Sequence, residues 1–282
     1  MKLCYQNIQI TELVNDWHEQ EKTIAFIPTM GGLHQGHLSL IDIAKQKADK
    51  VVVSIFVNPA QFDKNEDLDR YPRSLNADLI ELEENVDSVF IPDVKQIYPN
   101  GISKHIDVGM IGRILCGKTR PHFFNGMIQV VEILFEIVRP NVAIFGQKDY
   151  QQLLVIKQMV KNLSLDICIE SGEIIRERSG LAMSTRNQYL SDNDVKIAAN
   201  LYRILTYVKN EVLQNKKIDV LKKMAEFDLK QHFKLDYLEV LDANTLKQIT
   251  DNTCQIIILS AVFLGSVRLI DNIIFLKRDN YV

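Results

Sequence analysis

Between residues 23 and 171, short apolar runs alternate with longer amphipathic stretches, and this rhythm sets the architecture. The runs are TIAFIP (23–28), VVVSIFV (51–57), DSVFIP (87–92), NVAIFG (141–146) and DICIES (166–171). A strand that is apolar at nearly every position, not every second one, needs cover on both faces. Parallel strands joined by helical crossovers supply that cover. Ahead of the fourth run, Val130, Ile133, Leu134, Ile137 and Val138 keep the spacing of a helix with one buried face, and Pro140 follows shortly after. Five such strands predict an α/β fold with a doubly wound parallel sheet. After Arg186 the rhythm changes. Residues 194–233 read as helical; LDYLEVLD (235–242), QIIILSAVF (255–263) and VRLIDNIIFL (267–276) read as strands with short links. Consecutive strands of that kind predict a smaller α+β domain with an antiparallel sheet. We expect an N-terminal domain over 1–175 and a C-terminal domain over 176–282, with no Pro/Gly linker between them.

A length of 282 residues is enough for both domains, and 46% hydrophobic with 24% charged residues is ordinary globular composition. A net charge of −3 gives no electrostatic reason to expect nucleic acid as a partner, so any anion site must be a local concentration of positive charge. Cys4, Cys116, Cys168 and Cys254 are scattered, which suits neither a zinc ribbon nor a disulfide framework and fits a reducing compartment. The opening MKLCYQNIQITELVNDWHEQ is unlike a targeting peptide, and IIILSAVFLGSV (257–268) falls short of the roughly 20 residues of a membrane helix. The expectation is a soluble cytoplasmic protein with no membrane partner.

GRILCGKT (112–119) matches the G-x-x-x-x-G-K-T pattern of a P-loop letter for letter. That pattern cradles phosphate only between a strand and a helix. Here the preceding HIDVGMIG is a poor strand, and Pro121 and Gly126 follow where a P-loop helix should already be running. We read it as a chance match. PTMGGLHQGHLSLIDIAKQK (28–47) supplies the better layout, since a strand ends at Pro28, Gly31 and Gly32 permit close approach, and an amphipathic helix starts near Gly36. Free N–H groups and the helix dipole bind anions at such a point. His34 and His37 share one face of the first turn. Capping and zinc binding are the competing explanations, but no further zinc ligands sit at suitable spacing nearby. Other polar clusters also follow strands: Asn58 and Gln61 in NPAQF, Lys148 and Asp149 in GQKDYQQL, and hydroxyls and arginines in RERSGLAMSTRN (176–187). In open α/β sheets such clusters converge on a ligand crevice.

The H-x-G-H of PTMGGLHQGH is similar to the phosphate signature of nucleotidylyltransferases and class I aminoacyl-tRNA synthetases. Together with SIFVNPAQF, YPR (71–73), FGQKDYQQL and GLAMSTRNQYLS, the chain closely resembles the pantothenate synthetase family along nearly its whole length. The resemblance implies a Rossmann-like N-terminal domain of the nucleotidylyltransferase type. It also implies an ATP-dependent ligase joining pantoate to β-alanine through pantoyl adenylate, with Mg²⁺ as cofactor, a homodimer as assembly, and no nucleic-acid or membrane partner. Its implied catalytic residues are His34, His37, Lys148, Ser184 and Arg186. Met30, Asn58, Gln61 and Gln152 would bind pantoate. Pro28, Thr29, Met30, Gly31, His34, Gly36, His37, Gly146, Lys148, Asp149, Ile175, Met183, Ser184, Thr185 and Arg186 would bind ATP, and Asp78 and Asp149 would lie near the metal. A nucleotidylyltransferase acting on another small substrate, or a non-catalytic nucleotide-binding protein, are the alternatives. The sequence departs from the family pattern in places. His122 in RPHFFNG falls one position early, leaving Phe123 where a histidine is expected. Gln147 stands for a common glutamate, Thr185 for serine, and Ser179 for aspartate.

Overall fold

The apolar runs pair side by side. In the computed structural model, which describes residues 1–63, 66–102 and 106–277, six strands form one parallel sheet. They are β1 (Lys2–Cys4), β2 (Ile24–Thr29), β3 (Lys50–Ile55), β4 (Ser88–Phe90), β5 (Val142–Gly146) and β6 (Cys168–Gly172), in the order β1-β4-β3-β2-β5-β6. Val51, Val52 and Val53 are all buried, as expected of a strand covered on both faces. The connections carry α1 (Asn7–Glu19), α2 (Gln35–Lys47), α3 (Leu75–Leu82), the single turns α4 (Val94–Ile97) and α5 (Cys116–Thr119), α6 (Phe123–Val138) and α7 (Tyr150–Asn162). The extra strand over the five expected is β1, which is only three residues long and pairs with β4 through Lys2↔Ser88 and Cys4↔Phe90.

α6 begins right after His122 and runs straight through Gly126. A helix would ordinarily avoid glycine, but here a Cβ at 126 would fall 2.0 Å from the Ala60 carbonyl oxygen. Phe124, Met127, Ile128, Val131, Leu134, Phe135 and Val138 are buried along this helix. Each contributes about 1.5–3 kcal/mol by leaving water, which outweighs the roughly 1 kcal/mol propensity cost of the glycine.

Among the described residues no strand leads into the P-loop-like stretch. Of HIDVGMIG, His105 lies outside the described residues, 106–108 carry no regular structure, and 109–112 form a turn and the start of a single 3-10 turn. Its glycines serve packing instead, since a Cβ on Gly117 would sit 1.9 Å from the Gly112 carbonyl oxygen. Gln151 holds the segment, donating at 2.7 Å to both the Ile111 and Ile114 carbonyls and accepting from the Cys116 amide.

The chain divides into two compact units, Met1–Gln147 with Gln151–Glu173, and Lys148–Tyr150 with Ile174–Val282. The second is built from α8 (Asp192–Val212), α9 (Ile218–Lys230) and an antiparallel sheet β7 (Lys234–Asp242), β8 (Gln255–Leu264), β9 (Val267–Leu276). Its own core includes Leu201, Leu205, Val208, Leu229, Leu238, Ile256, Ile258 and Phe275. The residues Lys148–Tyr150 join it because the Tyr150 hydroxyl donates to the Ala243 carbonyl and Asn272 Nδ2 donates to the Lys148 carbonyl. Burial, aided by the negative charge of Asp242, pushes the Tyr150 hydroxyl above its usual pKa. Among the described residues no helix is long and apolar enough to cross a membrane.

Candidate active site

The strand order reverses between β2 and β5, with β3 and β4 on one side and β6 on the other. Ligand crevices of doubly wound sheets open at the carboxyl ends of strands flanking such a point. The β2–β5 pairing stops at Phe26↔Ala143, two residues short of Pro28, which has no N–H to offer a neighbour. On its other side β2 continues to pair with β3 as far as Thr29↔Ile55. Thr29 closes the strand, its hydroxyl donating to the Ser54 carbonyl at 2.7 Å and accepting from the Gly31 amide. Gly146 ends β5, and a Cβ there would meet nothing within 4 Å.

The chain then turns through Gly31 (φ 79°) and Gly32 (φ 64°), left-handed conformations that other residues adopt at a cost. Asp78, on α3, holds this turn. Its Oδ2 accepts from the Gly32 amide at 2.9 Å, and its Oδ1 accepts from the Leu33 amide at 2.8 Å and the Ser74 hydroxyl at 3.3 Å. Asp78 is only 3% exposed, and a Cβ on Gly31 would press to 2.9 Å from its oxygen.

His34 is the N-cap of α2, and its imidazole lies 4.2 Å from that of His37 between ring centroids, the two planes tilted by 43°. His34 Nδ1 accepts from the Gly36 amide at 3.1 Å, and His37 Nδ1 accepts from the His34 amide at 3.3 Å. A ring that accepts through Nδ1 carries its proton on Nε2, so the donor of each neutral imidazole is Nε2–H. The glycine between them is required, because a Cβ at 36 would lie 2.8 Å from His34 Cε1. Capping engages Nδ1 of His34 and not Nε2, so it does not conflict with the phosphate-binding reading.

After β3, the turn Pro59–Gln61 is set by Asn58, which is 1% exposed. Its amide donates to Gln61 Oε1 and to the Gly126 carbonyl, both at 3.0 Å, and accepts from the Tyr98 hydroxyl at 2.7 Å and the Ala60 amide at 3.2 Å. Both the oxygen and the NH₂ of the Asn58 side chain are engaged twice. Burial pushes the Tyr98 hydroxyl far above its ordinary pKa, so it remains a donor to Asn58. Gln61 Nε2 in turn meets Met30 Sδ at 3.2 Å, bringing together three of the four expected pantoate residues. The fourth, Gln152, is half-buried on α7. Arg120 braces the same turn through the Gln61 carbonyl at 3.4 Å, and it pairs with Glu66 and lies 4.0 Å over the Phe123 ring. His122 is exposed and makes no side-chain cap. Gln147 keeps a hydrogen bond to the Ser171 hydroxyl.

In the second unit, Lys148 Nζ lies 3.2 Å from Asp149 Oδ2, with side chains 21% and 42% exposed. The MSTR segment leaves a tight hairpin in which the Met183 amide bonds the Ile175 carbonyl and the Glu177 amide bonds the Leu181 carbonyl. Ser184 caps the turn Thr185–Tyr189 by accepting from the Arg186 amide. Thr185 is buried and Arg186 half-buried. Ser179 accepts from the Leu181 amide inside the hairpin. Among the described residues no group of three or more His, Cys, Asp or Glu side chains is placed to hold a metal. Mg²⁺ needs only one or two carboxylates beside phosphate oxygens and water. The partly exposed Asp149 fits that donor set, whereas the buried Asp78 carboxylate is engaged by the loop amides.

Sequence reasoning missed Tyr98, Gly126, Gln151, Arg176, Asp271 and Asn272 as supports. Their partners lie far away in the chain, and only the unexpected glycine in a helix and the polar pair inside an apolar strand hinted at them.

The family described as pantoate-beta-alanine ligase matches residues 2–274. A curated relative named pantothenate synthetase, from Vesicomyosocius okutanii subsp. Calyptogena okutanii (strain HA), is 96% identical over the full length of both chains. Another of that name, from Shewanella loihica, is 48% identical over 93% of this chain and 94% of its own. The crystal structure of pantothenate synthetase from Thermus thermophilus superposes with a TM-score of 0.91 at 36% identity, covering 97% of this chain and 99% of that one. A pantoate-beta-alanine ligase from Francisella tularensis, complexed with beta-gamma ATP and beta-alanine, gives a TM-score of 0.80 at 37% identity, covering 98% and 97%. The chain belongs to the pantoate–β-alanine ligase family.

Proposed function

We propose that this chain condenses pantoate with β-alanine at the expense of ATP, forming pantothenate, AMP and diphosphate through pantoyl adenylate. The observation that carries the proposal is the start of α2. Two imidazoles have Nδ1 held by backbone amides, which makes the Nε2–H groups beside the helix dipole preset donors for a triphosphate. Donors fixed before the reaction stabilise charge as it develops on the phosphate, at no reorganisation cost. Gln61, oriented by Asn58 and lying against Met30, is the amide we assign to pantoate. A neutral amide positions the hydroxy acid without quenching the carboxylate that must attack. That attack on the α-phosphorus releases diphosphate, and the amine of β-alanine then takes the acyl carbon and releases AMP.

Lys148, Ser184 and Arg186 supply one ammonium, one hydroxyl and one guanidinium for the phosphate oxygens. Removing one such charge is expected to cost roughly 10²–10³-fold in rate. Bound magnesium would neutralise phosphate charge, and Asp149 is the carboxylate we assign to it. Asp78 we assign to the loop that it holds.

The test is product formation with each substrate omitted in turn. AMP and the amide are expected together, only when pantoate and β-alanine are both present. Sustained AMP release at an equal rate without β-alanine would instead indicate a nucleotidylyltransferase.

A further inference from the structure

The middle of β9 breaks the apolar pattern of its strand with two adjacent polar residues, Asp271 and Asn272, which are 3% and 4% exposed. Successive strand residues face opposite sides, so the pair can serve two different elements. Asp271 takes Arg176 in a forked ion pair, Nη1 to Oδ2 at 2.7 Å and Nη2 to Oδ1 at 2.9 Å. Arg176 goes on to the Gly180 carbonyl at 3.1 Å and the Asn272 carbonyl at 3.3 Å, and its guanidinium lies 3.7 Å from the centroid of the Tyr202 ring. Gly180 has φ of 91°, and a Cβ there would strike the Tyr202 ring at 2.7 Å. The hairpin Ile175–Met183 is thereby locked, and Asn187 Nδ2, bonded to the Ala182 carbonyl, carries the restraint into the Ser184–Arg186 turn. Asn272 does the other task, donating from Nδ2 to the Lys148 carbonyl at 3.1 Å.

We propose that Asp271, Asn272 and Arg176 are positioning residues that set Lys148 and the Ser184–Arg186 turn in place for the triphosphate. The inference rests on the phosphate roles proposed above for Lys148 and Arg186. A bidentate pair fixes both distance and plane, which a surface lysine–carboxylate contact does not. Its effect is expected on the nucleotide side of the reaction, because Lys148 and the Ser184–Arg186 turn are the elements these residues hold.

The experiment measures kcat and the separate KM values for ATP and pantoate in Asn272→Ala, Asp271→Asn, Arg176→Lys and the charge-free double variant Asp271→Leu/Arg176→Met. Lys148→Ala and Arg186→Ala are assayed alongside, and thermal unfolding checks that each variant is folded. Misplacing a binding group by about an ångström costs up to roughly 100-fold. Asn272→Ala is therefore expected to lose about 10- to 100-fold in kcat/KM for ATP, with KM for pantoate within about twofold of the parent. Arg176→Lys, which keeps the charge without the fork, should fall between the parent and the double variant. Folded Asn272→Ala and double variants with parental ATP kinetics, while Lys148→Ala and Arg186→Ala are crippled, would overturn the positioning role alone. Parental activity in Lys148→Ala and Arg186→Ala would overturn the phosphate assignment, and this inference with it. Should the Asp271 variants fail to fold, Asn272→Ala still decides, since it leaves the ion pair intact.

Discussion

Gly36 explains why the H-x-G-H pattern has its spacing. The His34 ring folds back over the first turn of α2, and Nδ1 reaches the Gly36 amide only because no side chain stands there. Gly36→Ala should therefore displace the ring and lose most of what His34→Ala loses, about 10²-fold or more in kcat, while stability falls only by the roughly 0.5–2 kcal/mol of a lost helix cap. Steady-state kinetics beside thermal unfolding checks this, and a fully active Gly36→Ala would contradict it. Asp78 gives a second test among single residues. Replacing it with Asn puts an N–H₂ where one of two loop amides needs an acceptor. A lost hydrogen bond to a buried amide costs about 1–3 kcal/mol, so activity should drop about tenfold or more. The Mg²⁺ concentration for half-maximal rate should stay put, because Asp149 is the carboxylate assigned to the metal. A tenfold rise in that concentration would return Asp78 to the metal site.

Among the elements, α6 and the Pro59–Gln61 turn depend on each other. Gly126 is where they touch, and Gly126→Ala would push the Ala60 carbonyl away and disturb Asn58, whose amide binds the Gly126 carbonyl. It should cost about 1–3 kcal/mol in stability and raise KM for pantoate more than KM for ATP. Equal rises in both would refute the assignment of this turn to pantoate. The sequence made the apolar strands β2 to β5 legible because burial on both faces leaves a continuous hydrophobic run, as in Val51–Val53. It hid β1, since Lys2–Cys4 is too short to show a period and is defined by pairing with β4. Gly126 misled in the same way. Helix propensity disfavours it, but a tertiary contact that no local pattern reveals decides the matter. His34, His37, Asn58 and Gln61 were visible because each follows a strand. The hidden partners, Tyr98 for Asn58 and Gln151 for the 111–116 segment, are brought together only by folding.

For the molecule as a whole, the residues assigned to the reaction belong to two units that each have their own core, one around the parallel sheet and one around β7–β9. The first carries the imidazole pair and the Gln61 amide. The second carries Lys148 and the Ser184–Arg186 turn, although Lys148 follows β5 directly in the chain. The first half of a reaction through an acyl adenylate is reversible in the absence of amine. The most direct measurement is isotope exchange between diphosphate and ATP, with pantoate present and β-alanine absent, in the parent chain and in His34→Ala. The expected result is exchange that depends on pantoate and falls about 10²–10³-fold in His34→Ala. Exchange without pantoate, or an undiminished rate in His34→Ala, would contradict the account.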